Sequence, residues 1–119
     1  MSIRLIGGFL LGLPALCGLL PDASLAAEQR FTLSLQNGRL ADVPPTLRVV
    51  EGDEVVWELM SDRSLELHLH GYELSHSIAA GVTAVWRFPA THSGRFPLEV
   101  HEHGGHGHGP LLYLEVYPE

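Results

Sequence analysis

Residues 28–119 predict an all-β sandwich, and three observations carry that expectation. No stretch places its apolar residues at the 3.6-residue spacing of a helix. Short runs of β-branched and aromatic residues recur instead, separated by clusters of Gly, Pro, Asp and Ser. Within the runs apolar side chains alternate, so that Val55 and Trp57 share one face, as do Phe96, Leu98 and Val100.

Taken in order, strands are expected near Arg30–Leu35, Thr46–Val50, Glu54–Met60, Leu65–Tyr72, Ala84–Phe88, Gly94–Val100 and Leu111–Tyr117. Asn37-Gly38 is a hairpin signal. Glu51-Gly52-Asp53 is a second tight turn, with Gly52 free to take the positive φ that such turns need. Trp57 and Trp86 stand where core packing accounts for them. Gly104-Gly105-His106-Gly107-His108-Gly109 holds too much glycine for a strand and is expected to be a loop. There is no internal repeat.

The first 27 residues have a different character. Arg4 precedes an apolar run from Leu5 to Leu20, and small residues follow around Ala23-Ser24-Leu25-Ala26-Ala27. This is the pattern of a secretory signal peptide, with Ser24 and Ala26 placed for cleavage after Ala26, and cleavage after Ala27 nearly as good. Against an uncleaved anchor stand the shortness of the run and the helix-weakening Gly12, Pro14 and Gly18. Leu16 precedes Cys17, where a lipid-modified cysteine needs a small residue. The expected organisation is a signal peptide over 1–27 and one domain over 28–119, periplasmic or secreted, with no membrane contact after cleavage.

All 7 basic residues are arginine, against 14 acidic ones, for a net charge of −7. Removing Arg4 and Asp22 with the leader leaves that balance unchanged. Such a surface repels nucleic acid and anionic lipid, which argues against both as partners. The single cysteine, Cys17, lies in the leader. The processed domain therefore has no disulfide, no thiolate nucleophile and no thiolate metal ligand.

All 8 histidines lie in the domain, most of them in two short segments. His68 and His70 occupy alternate positions of one expected strand, so their imidazoles share a face and can converge on one ion. Neutral imidazole suits copper, zinc and nickel, whereas calcium and magnesium want oxygen. His101 and His103 end a later strand, and His106 and His108 follow in the glycine loop, where they can complete a site begun on another strand. Two blander readings stand beside this one: a solvated His-x-His pair that binds nothing, and an adventitious metal-binding tail. His76 and His92 are isolated, in turn-like surroundings, and read as surface or hydrogen-bonding residues. Glu99 and Glu102 flank the second cluster as carboxylates that could orient a ligating ring or simply meet water.

The order of motifs resembles the cupredoxin superfamily over essentially the whole domain. Leu47-Arg48-Val49-Val50-Glu51-Gly52-Asp53-Glu54-Val55-Val56-Trp57 resembles its V-x-x-G-D-x-V-x-W/F segment, and a histidine strand comes next. Phe88-Pro89-Ala90-Thr91-His92-Ser93-Gly94-Arg95-Phe96 resembles the approach to the family's last ligand loop, and Leu112–Val116 its terminal strand. The resemblance implies a Greek-key β-sandwich of about seven strands without long helices, in which the strand of His68 and His70 lies near the one ending at Val100. Family members with blue copper use an upstream histidine, then a cysteine, a histidine and a methionine. Here the upstream position matches His68 or His70, the cysteine falls on Val100 or His101, the histidine on His103, and the methionine near His106 to His108. Both sulfur ligands are missing.

The expected site is therefore all-histidine, drawn from His68, His70, His101, His103 and His108, with His106 beside them. Copper, as Cu(II), is the expected ion; zinc, or no metal, is the alternative. Without the thiolate bond that suits blue copper to electron transfer, the resemblance points to metal binding, sequestration or delivery, with the metal ion and a metal-handling protein as partners. A mononuclear metal enzyme with an open water position and a metal-free interaction domain are the competing functions.

Overall fold

The computed structural model describes residues 12, 18, 27–41, 43–101 and 109–119. Eight strands make up the domain: β1 (Glu28–Leu35), β2 (Thr46–Val50), β3 (Glu54–Ser61), β4 (Leu65–Leu69), β5 (Leu74–Ile78), β6 (Ala84–Pro89), β7 (Gly94–Val100) and β8 (Leu112–Tyr117). There is no helix among the described residues. His103, His106, His108 and Glu102, and the expected cleavage site at Ala26, lie outside the described residues.

The strands form two sheets, β1-β3-β6 and β2-β8-β7-β4-β5. β1 runs parallel to β3 and β2 parallel to β8, while the remaining pairs are antiparallel. Each sheet collects strands distant in sequence, as a Greek-key sandwich does. The alternation read from the sequence becomes the core between the sheets. Val55, Trp57, Leu59, Leu67, Leu69, Leu98, Leu112 and Leu114 are sealed from solvent there. Trp57 stands edge-on to Trp86, with centroids 5.4 Å apart, and to Phe88 at 4.9 Å.

Val56 breaks the simple alternation, because it is also fully buried although it faces out of the small sheet. Its cross-strand neighbours explain this: Arg30 on one side and Arg87 on the other. Arg87 pairs with Glu28 and Glu54, both at 2.9 Å, and Arg30 with Glu58. The paired guanidinium heads draw the aliphatic stems over the valine.

Both turns expected from the sequence are present. Asn37 and Gly38 have φ of 53° and 74°, the two positive values of a type I′ hairpin, and Gln36 and Arg39 exchange backbone hydrogen bonds across it. The Asp62 carboxylate accepts the Asn37 N–H, which holds its pKa below the ordinary 3.8. Gly52, at φ 96°, sits third in the turn that closes when Asp53 N–H donates to the Val50 carbonyl at 3.0 Å.

The expected strand over Leu65–Tyr72 ends early, and β5, outside the strands expected from the sequence, follows it. Leu65–Tyr72 reads as continuous in the sequence, but pairing as β4 stops at Leu69 and the chain returns as β5 after His70-Gly71-Tyr72-Glu73. Gly71 at φ 85° and Glu73 at φ 51° turn the backbone. The turn is held tightly: a Cβ on Gly71 would meet the Phe96 ring, with Cε1 at 2.8 Å.

Candidate metal centre

β4 is the strand that positions the site. Leu67 and Leu69 point into the core and are fully buried, so His68 between them must face outward from the five-stranded sheet. His70 follows on the same side, at the first position of the turn. The two rings stand nearly perpendicular, at 83°, with centroids 4.3 Å apart. His68 Nδ1 and His70 Nε2 are 3.4 Å from each other.

Next to β4, β7 runs antiparallel with Leu67 opposite Val100, His68 opposite Glu99 and Leu69 opposite Leu98. The strand of His68 therefore lies beside the strand ending at Val100, as expected. His101 continues the ladder, its N–H donating to the Glu66 carbonyl at 2.7 Å. His101 is exposed and flanks the same outer face. Glu66 and His68 on β4, with His70 just after it, thus run beside Glu99 on β7 and His101 just after that strand.

Two carboxylates hold the rings. Glu99 Oε2 lies 2.8 Å from His70 Nε2, and Glu73 Oε2 lies 3.3 Å from His68 Nε2. The His70–Glu99 contact is a hydrogen bond, whereas the His68–Glu73 contact is an ion-pair distance only. Glu73 reaches His68 because its positive φ folds its side chain back over the turn, where Oε1 also accepts the Gly71 N–H at 3.3 Å. Sequence reasoning named Glu99 as a flanking carboxylate but missed Glu73, since nothing in Gly71-Tyr72-Glu73 signals a turn that returns a side chain onto the preceding strand.

Tyr72 fixes the far side of this turn. Its hydroxyl donates to the His92 carbonyl at 2.7 Å and accepts the His92 N–H at 3.0 Å, and burial pushes its pKa above the ordinary value. His92 thus serves through its backbone. His76, expected in a turn, lies within β5 and stacks on Trp86 at 5.2 Å, 14° from parallel. Neither histidine belongs to the His68–His70 cluster. A shallow cleft of about 240 Å³, lined by Gly52, Asp53, Glu54, Arg87, Phe88 and Pro89, holds no histidine.

Among the described residues, no group of three or more His, Cys, Asp or Glu side chains is gathered so as to hold a metal ion. What the described residues do supply is a pair of nitrogens. Two donors bound about 2.0–2.1 Å from one ion lie roughly 2.9 Å apart at a right angle and 3.3–3.4 Å apart at the tetrahedral angle. The 3.4 Å between His68 Nδ1 and His70 Nε2 falls at the upper end of that range. The pair has the spacing of two nitrogens on one ion, and the described residues add no third ligand to it.

No family model matches the chain, and no curated protein is significantly similar to it. Solved structures are similar in fold. A multicopper oxidase superposes with a TM-score of 0.62 at 20% identity, over 83% of this chain and 45% of its own. The blue copper oxidase of Nitrosomonas europaea gives 0.60 at 20% identity, over 77% and 39%. The copper-containing nitrite reductase of Thermus scotoductus SA-01 gives 0.60 at 23% identity, over 78% and 28%. The chain spans less than half the length of each of these structures. Two Greek-key sheets, the histidine strand beside the penultimate strand and these superpositions together give the domain the cupredoxin-like fold.

Proposed function

We propose that this protein binds copper, as Cu(II), outside the cytoplasm and sequesters it or passes it to a metal-handling partner. His68 and His70 are the strand ligands, and His101, His103 and His108, with His106, supply further imidazoles from the segment after β7. The observation that carries this reading is the 3.4 Å separation of His68 Nδ1 and His70 Nε2 on an outward face. Copper proteins among the structural neighbours support the choice of metal, and the leader-like residues 1–27 support export.

The donor set also says what the bound ion would do. Imidazole without thiolate gives Cu(II) a tetragonal preference, so reduction carries a large change in geometry. Binding and release suit such a site better than rapid electron transfer. Imidazole binds metal only when neutral, so protons compete with the ion around the ordinary histidine pKa of about 6.5.

Titrating the purified protein with Cu(II), followed by absorption and bound-metal analysis, tests the reading. One ion per chain with a pale spectrum is expected, and affinity should fall steeply below about pH 6. An intense blue band from the processed protein, or no saturable binding, would overturn it.

A further inference from the structure

We propose that β5 is a docking edge for a second copy of this chain, the two strands pairing antiparallel about a two-fold axis at His76. No metal takes part. Among the described residues, four strands form the edges of the sandwich: β1 and β6 in the small sheet, β2 and β5 in the large one. An edge presents unpaired N–H and C=O groups, and charged side chains or proline on it keep other strands off. Three of the edges have that protection in exposed residues: Glu28 and Arg30 on β1, Arg48 on β2, Arg87 and Pro89 on β6. The fourth, Leu74-Ser75-His76-Ser77-Ile78, contains no Asp, Glu, Lys, Arg or Pro. On a chain of net charge −7, this uncharged edge is where a second acidic copy meets least repulsion.

The edge also matches itself. From His76 outward, in either direction, come a serine and then an aliphatic residue. Antiparallel pairing centred on His76 therefore sets Ser75 opposite Ser77 of the second copy and Leu74 opposite its Ile78, each pair occurring twice. The faces agree as well. Ile78 is in the core, Leu74 packs against it and His76 stacks on Trp86, while both serines are exposed on the outer side. Paired this way, aliphatic residues extend the inner layer and serine hydroxyls meet across the outer one. A slip of one residue would cross the two faces.

The two large sheets then join into one continuous sheet. The β4 strands of the two copies, each with its own His68, lie three strand spacings, roughly 14 Å, apart. Five residues a side fall short of the roughly 1,200 Å² that stable interfaces bury, so the dimer is weak, with a Kd of about 100 µM.

Sedimentation equilibrium in EDTA, from about 10 µM to about 1 mM protein, measures the association without metal bridging the histidines. Ser75→Lys with Ser77→Lys puts lysine opposite lysine at both symmetric positions, and Ser75→Lys with Ser77→Glu puts lysine opposite glutamate. Both serines are exposed, so neither variant disturbs the core, which near-ultraviolet circular dichroism checks. Wild type should dimerise, the first variant should associate at least about ten-fold more weakly, and the second should match or exceed wild type. A first variant that dimerises like wild type places the contact elsewhere and overturns the role of β5, as does a second variant as weak as the first. Wild type that stays monomeric throughout the range overturns it too, leaving the edge to an extended segment of another protein.

Discussion

His68 and His70 share a face, but their rings are held by opposite kinds of neighbour. Glu99 comes from a strand 29 residues away and is fixed by sheet register. Glu73 comes from the adjacent turn and reaches His68 only because its backbone is left-handed, at φ 51°. A non-glycine residue in that region costs roughly 1 kcal/mol, and such strain persists where the contact it enables has a use. Glu73→Gly should relieve it, raising unfolding stability by about 1 kcal/mol in chemical denaturation. Copper affinity should fall by about ten-fold, because His68 loses the carboxylate beside its Nε2. A variant that is both less stable and fully competent for copper would show that Glu73 packs the turn rather than serving the site.

The β4–β5 hairpin is where local sequence and structure part company. Leu65-Glu66-Leu67-His68-Leu69-His70 alternates without a break, and Gly71-Tyr72 extends it into one apparent strand. The break comes from the positive φ of Gly71 and Glu73, and the Phe96 ring of β7 occupies the space where a Cβ of residue 71 would lie. Strand positions elsewhere were legible because burial on one face enforces alternation; β2 and β7 have the bounds read from sequence. The His68–His70 pair was legible for the same reason, being a period-two feature. Its carboxylate partners were not, since Glu99 is set by cross-strand register and Glu73 by an unsignalled positive φ. Gly71→Ala should cost about 3 kcal/mol, combining left-handed strain with overpacking against Phe96. Thermal unfolding followed by near-ultraviolet circular dichroism would measure it, and a cost below about 1 kcal/mol would mean that the turn gives way easily.

At the scale of the whole molecule, the cupredoxin-like sandwich has no cysteine in the domain and no methionine beyond β3. Its histidine pair lies on the outer face of the five-stranded sheet, open to solvent, rather than among the sealed side chains between the sheets. On the copper function proposed above, an open face would let a partner approach the bound metal without unfolding the domain. On that same proposed function, His68 and His70 anchor the ion and the glycine-histidine tract does not. Glycine gives up more conformational freedom than other residues on being fixed, which disfavours anchoring by a glycine-rich sequence. The direct measurement is Cu(II) affinity by isothermal titration for wild type, His68→Ala with His70→Ala, and His106→Ala with His108→Ala. The strand double variant should lose at least about a hundred-fold and the loop double variant about ten-fold or less. Loss of binding in the loop variant alone, with the strand variant binding like wild type, would contradict the account.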